Sequence, residues 1–588
     1  MRLYIYVFMW FYIFISLHEL SSYKKANDME RKQLPIGISD YKELIDNDYY
    51  FVDKTDFVRQ IVEEGSKITL LPRPRRFGKT LNLSTLRYFF ERTKGNIYRP
   101  LFNGMQIEKW KDFDRYQGKY PVIMLTLKDC KADTFEDTLA KIAEEIQKEY
   151  LRHDYLLDSP LMKDVYRNSF EALYRGQGTQ IQLASSLDLL SDLLATHWDT
   201  PPLVLLDEYD TPVHAAYDHG FYDRIINFMR NLMSTVFKDN TDIFRGVITG
   251  ILRVSKESLF SGVNNIEVDT LLNRPFCSAF GFTETETDRL LDCYGLSAHK
   301  EEVRDWYNGY LFGGQVIYNP WSLLNYAKSG EIAPYWVNTG SDVLLRHLIA
   351  GGPARVRREM EIFLKGGAIR SVINDKLAFP DLTKSPENIW SFMLFSGYLK
   401  AGEYRMTEDD LASYRLEVPN REVATTFRSI IRGWIDSGSF SNSRLQEMLQ
   451  SLLDGDTDGF ERILNEFVVN TLSYYDTSGR DVEKVYQAFL LGMLVNLPGY
   501  EVSSNREAGF GRYDIQLRPK DLSKRGFIME LKVCDPLFGD TVDSVLQSAM
   551  QQIEDKKYEA ELRNAGVTDI LKMAVTFDGK RVWVKTSV

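Results

Sequence analysis

Two hydrophobic patterns alternate along the first half of the chain. Short, mostly apolar runs, at 67–71, 122–126, 203–206 and 246–249, are separated by longer stretches with apolar residues at helical spacing. Runs of this length are typical of strands buried on both faces, and their alternation with helices is typical of a parallel sheet covered on both sides. The pattern therefore predicts an α/β domain with a parallel sheet.

The pattern changes after about residue 284. Short helices and aromatic turns predict a small lid or winged-helix-like region over 284–345, and amphipathic periodicity predicts a helical linker domain over 346–475. Residues 476–588 are predicted to run helix, strand, strand, strand, helix, strand. With the α/β domain assigned to 29–283, the chain divides into four domains after an N-terminal extension over 1–28.

The N-terminal extension contains an unbroken apolar and aromatic run from Leu3 to Ile15, flanked by Arg2 and later by Lys24-Lys25. It is short for a membrane span, which needs about 20 apolar residues, and it lacks a small-x-small cleavage site. We expect translation to begin at Met29, with a short membrane anchor as the alternative.

Composition and charge bound the function only broadly. The chain has 588 residues, 44% hydrophobic and 26% charged, with a net charge of −11. This acidity argues against a protein that coats DNA but leaves DNA open as a substrate. The 4 cysteines are scattered and predict neither a zinc site nor a disulfide framework, which suits the cytoplasm.

A basic, glycine-containing loop between a strand and a helix predicts a nucleotide site. Such loops hold phosphates with backbone N–H groups and a lysine, and a Ser/Thr hydroxyl supports Mg²⁺. The first glycine of the usual pattern is replaced by an arginine, and the three arginines either contact phosphate or pack on acids. The predicted ATP-binding residues of the loop are Arg73, Pro74, Arg75, Arg76, Phe77, Gly78, Lys79 and Thr80.

Acids at the end of a later apolar strand complete this prediction. Asp207 is expected to support Mg²⁺ together with Thr80, and Glu208 to polarise the attacking water. Thr249 ends the next apolar strand and Arg253 follows it, so that one could sense the terminal phosphate and the other offset charge. For these two, a capping threonine and a surface arginine are the alternatives.

The C-terminal segment carries a second group of candidate catalytic residues. Metal-dependent phosphodiester cleavage needs carboxylates for Mg²⁺ and a lysine near the attacking water. Asp514 and Glu530 are the predicted metal ligands, Lys532 shares a strand face with Glu530, and Glu507 could add a carboxylate. A hairpin at 518–520 would bring Asp514 beside Glu530. In the pair Gln551-Gln552, the second glutamine lies on an apolar-striped helix and could orient substrate or a metal-bound water, or be an ordinary surface amide.

Longer motifs around these residues resemble two known families. Residues from about 34 to 265 resemble the AAA-ATPase-like family of many bacterial proteins, through Leu-Pro-Ile-Gly-Ile-Ser at 34–39, Phe-Val-Asp-Lys-Thr at 51–55, the loop at 73–80, Asp-Glu-Tyr-Asp at 207–210 and Phe-Ser-Gly-Val-Asn-Asn at 260–265. The arginine in place of the loop glycine is part of that family's pattern. Residues from about 486 to 577 resemble the PD-(D/E)XK nuclease superfamily, through Ser-Asn-Arg-Glu-Ala-Gly-Phe-Gly-Arg-Tyr-Asp at 504–514, Glu-Leu-Lys at 530–532, Gln-Ile at 552–553 and Tyr558.

The resemblance implies a P-loop NTPase fold followed by an αβββαβ fold like that of restriction endonucleases. It also implies ATP and Mg²⁺ as cofactors. We expect an ATPase coupled to a metal-dependent nuclease acting on DNA or another nucleic acid. The alternative is an ATP-dependent signalling or scaffolding switch with a catalytically silent nuclease fold. A homo-oligomer is compatible with both, and the sequence leaves the substrate and pathway open.

Overall fold

The structure, a computed structural model, describes most of the chain and divides it into two compact units. The first unit is Met1–Trp336 with Phe395–Gly397, and the second is Val337–Leu394 with Tyr398–Val588. The N-terminal extension and Arg253 lie outside the described residues. The described residues are 31–252, 259–260, 263, 265–336, 345, 348, 354–364, 366–427, 442–471, 482–494, 497–504, 507–508, 511–534, 540–579 and 581–587.

The first unit is built on a parallel sheet of five strands, in the order β2-β3-β4-β1-β5. All residues of β1 and β3 are buried, so both faces of the sheet are covered, as the continuous apolar runs predicted. The strand β4 lies between β1 and β3, which places its last residues between the ends of the other two. The strands are β1 (Ile68–Pro72), β2 (Val122–Thr126), β3 (Leu203–Asp207), β4 (Arg245–Gly250) and β5 (Ile266–Val268).

Helices cover this sheet, and one of them follows β1 after the loop 73–78. We call Lys79–Phe90 the phosphate-loop helix. The other helices before residue 240 are Tyr41–Asp46, Asp56–Glu63, Phe113–Tyr116, Phe135–Arg152, Asp164–Tyr174, Gln180–Ala184, Ser186–Trp198, Thr211–His219 and Tyr222–Phe237.

Residues 282–329 add a small antiparallel sheet in the order β6-β8-β7. Lys54 ties it to the beginning of the unit, because its Nζ donates to Glu286 Oε2 at 2.6 Å. The strands are β6 (Phe282–Thr283), β7 (Tyr310–Phe312) and β8 (Gln315–Tyr318), and the helices are Glu284–Cys293, Lys300–Tyr307 and Pro320–Ser329.

The middle of the chain corrects one prediction. The segment 346–475 was expected to be helical, but it also contains an antiparallel sheet in the order β10-β11-β9. The polar turn between β10 and β11 includes Asp410 at φ 56°, a conformation suited to a tight reversal. The strands are β9 (Ile369–Val372), β10 (Lys400–Met406) and β11 (Ala412–Glu417), and the helices are Ala354–Leu364, Pro386–Phe395, Asn442–Asp454 and Thr457–Thr471.

The C-terminal residues form a five-stranded mixed sheet in the order β12-β15-β16-β17-β18. The predicted order of helix, three strands, helix and strand is confirmed, with the additional edge strand β18 and the short pair β13–β14. The helices are Val482–Leu494, Val542–Asp555 and Ala560–Asn564. The strands are β12 (Tyr500–Ser504), β13 (Glu507–Ala508), β14 (Gly511–Arg512), β15 (Ile515–Pro519), β16 (Gly526–Val533), β17 (Ile570–Asp578) and β18 (Arg581–Ser587).

The two faces of this sheet have separate cores. Met529 and Leu531 of β16 point into one core, with the helix Val482–Leu494. The other face is covered by Val542–Asp555, which we call the glutamine helix. Side chains alternate along a strand, so Glu530 and Lys532 lie on the face that the glutamine helix covers.

None of the described helices combines the length and the apolar character that crossing a membrane requires.

Candidate active sites

The phosphate loop turns sharply into its helix at Gly78. This glycine has φ +86°, in the left-handed region, and a Cβ placed on it would meet nothing within 4 Å. Gly78 is the N-cap of the phosphate-loop helix, and backbone N–H groups at a helix N-terminus are suited to bind an anion. Lys79 is buried, and its Nζ donates to the carbonyl oxygens of Arg73 and Pro74, each at 3.0 Å.

The carboxylate of Asp207, at the end of β3, accepts hydrogen bonds from the phosphate-loop helix and from β4. Thr80 Oγ1 donates to Asp207 Oδ2 at 2.6 Å, and Thr249 Oγ1 donates to Asp207 Oδ1 at 2.7 Å. Thr249 reaches Asp207 because β4 pairs with both β1 and β3. Glu208 follows with φ 49°, an uncommon conformation for a residue with a side chain, and is half-buried. The structure thus brings these predicted residues into one cluster.

Burial governs the charges in this cluster. It raises the pKa of Asp207, although the hydroxyls of Thr80 and Thr249 act in the opposite direction. Burial also lowers the pKa of Lys79, against the attraction of Glu208 and Asp207. A charged phosphate with its cation would supply the compensation that these buried groups lack.

Arg73 has a structural position. Its side chain is fully buried, and its Nη2 donates to Asp269 Oδ1 at 2.7 Å, just after β5. The guanidinium carbon also lies 5.1 Å from the ring centre of Phe280 and 5.7 Å from that of Phe312. Of the two alternatives for this arginine, the structure has the packing on an acid, so only its carbonyl oxygen faces Lys79.

Removal of the Asp269 charge should destabilise the first unit. Asp269→Asn leaves the Arg73 guanidinium buried without a counter-charge, and we expect a loss of about 3 kcal/mol in the free energy of unfolding. The measurement is the denaturant concentration at the midpoint of the unfolding transition of the first unit. The double variant Arg73→Met/Asp269→Leu should recover most of the loss, and an unchanged midpoint in Asp269→Asn would contradict the assignment.

The rest of the loop contacts aromatic residues. Phe77 is buried, with its ring centre 5.0 Å from that of Tyr310, so its side chain anchors the loop and is not positioned as an ATP ligand. Arg76 is exposed at φ 69°, and its guanidinium lies 4.2 Å from the ring centre of Trp321. The carbonyl oxygen of Arg75 accepts from Trp336 Nε1 at 3.2 Å.

Two residues beside the predicted acids had no role in the sequence argument. The Asp210 carboxylate accepts from the backbone N–H groups of Ile251 and Leu252, at 2.8 and 3.0 Å. The hydroxyl of Tyr209 donates to the carbonyl oxygen of Leu252 at 2.7 Å. The last half of the Asp-Glu-Tyr-Asp motif therefore fixes the turn after β4, which leads to Arg253. Their place in the Asp-Glu-Tyr-Asp motif was the sequence signal that could have identified Tyr209 and Asp210.

The second candidate site lies at one end of β16. Asp514 directly precedes β15, and its Oδ2 accepts from the N–H of Leu531 at 2.7 Å. Glu530 is almost fully buried, and its Oε1 accepts from Lys532 Nζ at 2.9 Å. The predicted hairpin is present, with Ile515 opposite Met529, so Asp514 and Glu530 are neighbours across the strands.

Gln552 belongs to this site. Its Nε2 donates to Glu530 Oε1, and also to the hydroxyl of Tyr558 at 3.1 Å. Gln551 bonds instead to Asp555 on the outside of the helix. Of the alternatives for Gln552, the ordinary surface amide is therefore wrong.

The donor set suits a hard divalent cation. Carboxylate oxygens are the ligands that Mg²⁺ prefers, and Asp514 and Glu530 present two carboxylates at the same end of the sheet. The described residues include no group of three or more His, Cys, Asp or Glu side chains arranged for a metal. The side chain of Glu507, the third predicted ligand, lies outside the described part of the chain. The residues present fit a cation held by two carboxylates, with other ligands from water or substrate.

Comparison with protein families assigns both regions. Residues 35–260 match the AAA-ATPase-like family, described as predicted AAA-ATPase. Residues 481–587 match the PD-(D/E)XK nuclease superfamily. Each match covers one of the two candidate sites.

Two individual proteins are similar over much of the chain. An uncharacterised protein from the region 5′ of vnfD in Azotobacter chroococcum mcd 1 is 27% identical over 543 residues, covering 92% of this chain and 95% of its own length. The solved structure of the Walker-type ATPase PABY2304 of Pyrococcus abyssi has 14% identity and a TM-score of 0.35, covering 68% of this chain and 99% of its own.

Proposed function

This chain joins an AAA-ATPase-like domain to a PD-(D/E)XK nuclease superfamily domain, and we propose that it is an ATPase whose nucleotide cycle controls metal-dependent cleavage of DNA. The observation that carries the proposal is the group of Asp514, Glu530, Lys532 and Gln552 at one end of β16. A nuclease fold that had become a binding module would have no need to bury Glu530 between a lysine and a glutamine.

In the ATPase domain, each described residue of the cluster has a role. The N–H groups of the phosphate-loop helix bind phosphate oxygens, and Lys79 moves from the loop carbonyls to the terminal phosphates. Thr80 and Asp207 hold Mg²⁺, which would supply charge neutralisation on the phosphates. Glu208 orients and polarises the attacking water. Thr249 senses the terminal phosphate and is hydrogen-bonded to Asp207. Arg253 remains our candidate for the transition-state charge.

In the nuclease domain, Asp514 and Glu530 hold the cation, with Glu507 as a further proposed ligand. A bound Mg²⁺ would stabilise charge on the scissile phosphate and lower the pKa of a bound water. Lys532 positions the attacking water or the phosphate, and Gln552 fixes the orientation of Glu530. We place this reaction in the cytoplasm, where ATP is available.

DNA is the proposed substrate, and its form is the first thing to measure. The whole chain is incubated with supercoiled plasmid, linear duplex, single-stranded DNA and an RNA of matched length, with ATP, and with either Mg²⁺ or EDTA. We expect cleavage of at least one DNA form in Mg²⁺ and none in EDTA. Cleavage of RNA alone would show that the substrate is RNA and not DNA. Protein that binds ATP but cleaves nothing would favour the switch with a silent nuclease fold.

A further inference from the structure

Thr576 is a buried polar residue beside the nuclease-site residues. It lies on β17 directly opposite Lys532 of β16, and the two strands are parallel. Paired residues on neighbouring strands point to the same face, so Thr576 shares the face of Glu530 and Lys532. Its exposure is 0%, and within the described residues its Oγ1 meets no hydrogen-bond partner.

An unpartnered buried hydroxyl is unfavourable for folding. Burial removes its bonds to water, whereas a valine of almost the same shape would fill the space without that loss. Buried polar groups in folded proteins nearly always have a partner. We therefore expect the hydroxyl of Thr576 to gain a hydrogen-bond partner when the site changes from its metal-free to its metal-bound form.

The neighbouring lysine carries the donor group that such a partner requires, and it lies directly opposite Thr576. Lys532 and Gln552 both donate to the same oxygen, Glu530 Oε1. A cation on Glu530 repels the Lys532 ammonium and competes for this oxygen. Thr576 offers the displaced ammonium a hydroxyl oxygen at the register position directly opposite Lys532.

We propose that Thr576 is a positioning residue, whose hydroxyl accepts a hydrogen bond from Lys532 when Glu530 holds the cation. This inference rests on the proposed function of the nuclease domain. The bond would hold the lysine beside the reacting phosphate and away from Glu530. The proposal predicts that the hydroxyl destabilises the metal-free protein and stabilises the metal-bound protein.

The test compares Thr576→Val and Thr576→Ser with wild type in the whole chain. Ser504→Ala is a matched control, because Ser504 Oγ is also buried without a partner among the described residues. Ser504 pairs with Ile515, so it lies on the opposite face of the same sheet. Thermal unfolding is followed in EDTA and in Mg²⁺ without nucleotide, with Glu530→Gln showing how much of the Mg²⁺ effect comes from this site.

We expect Thr576→Val to unfold at the same or a higher temperature than wild type in EDTA, but to gain less from Mg²⁺. Thr576→Ser should behave like wild type, and Ser504→Ala should keep the full gain. In the cleavage assay, Thr576→Val should lower kcat about tenfold with KM unchanged, and serine should restore it. Lower stability of Thr576→Val in EDTA, or an undiminished gain from Mg²⁺, would overturn the inference. The unfolding measurements decide it even if wild type cleaves no DNA, an outcome that would count against the proposed function alone.

Discussion

Glu530→Gln should abolish metal-dependent cleavage while the chain still folds and hydrolyses ATP. The substitution keeps the shape of a nearly fully buried side chain but removes the negative charge that holds the cation. Metal stabilisation of transition-state charge is worth several kcal/mol, so a loss of about 4 kcal/mol lowers the cleavage rate about a thousandfold. The measurement is the initial rate of plasmid cleavage at saturating Mg²⁺.

Glu501→Gln is the matched control for this experiment. Glu501 lies on β12 of the same sheet, exposed and paired with Arg518 at 3.3 Å, away from the described site residues. We expect this control to cleave at the wild-type rate, because exposed ion pairs contribute little. Asp514→Asn should reproduce the loss seen in Glu530→Gln. Unimpaired cleavage by both site variants would refute the site assignment.

Lys79→Ala should greatly weaken nucleotide binding. The lysine is buried at the start of the phosphate-loop helix, and it would provide the charged donor for the terminal phosphates. Loss of charge-assisted hydrogen bonds of this kind costs about 3 kcal/mol, so we expect ATP to bind at least about a hundredfold more weakly. The measurement is the Kd for ATP with Mg²⁺ by calorimetry.

The exposed Lys94 gives a matched control for the lysine substitution, because it follows the same helix after a short turn. Lys94→Ala should bind ATP like wild type. Glu208→Gln should also bind ATP but hydrolyse it slowly, because its role is proposed to be in the attack of water. If Lys79→Ala binds ATP with wild-type affinity, the loop is not the phosphate site.

The sequence predicted the parts of the fold that local pattern controls. Continuous apolar runs identified the buried strands, and the positions of Asp207 and Thr249 at strand ends placed them at one edge of the parallel sheet. Alternation along β16 was enough to put Glu530 and Lys532 on one face and Met529 in the core. These predictions depend on neighbours along the chain or on simple strand geometry.

What escaped the sequence depends on partners far away in the chain. The pairing of Arg73 with Asp269 joins residues 196 positions apart, and nothing near Arg73 distinguishes a buried ion pair from a phosphate ligand. The antiparallel sheet of the middle segment was missed because β10 is mostly exposed and polar, so that only its pairing with β11 marks it as a strand. Thr576 carries no motif, and only the pairing of β16 with β17 sets it beside Lys532.

Control of cleavage by the nucleotide is the central claim, and one time course tests it directly. Plasmid cleavage by the whole chain in Mg²⁺ is followed with and without ATP, for wild type and for Lys79→Ala. We predict that ATP changes the wild-type rate and leaves the rate of Lys79→Ala unchanged. Equal wild-type rates with and without ATP, from protein shown to bind the nucleotide, would contradict the coupling of the two domains.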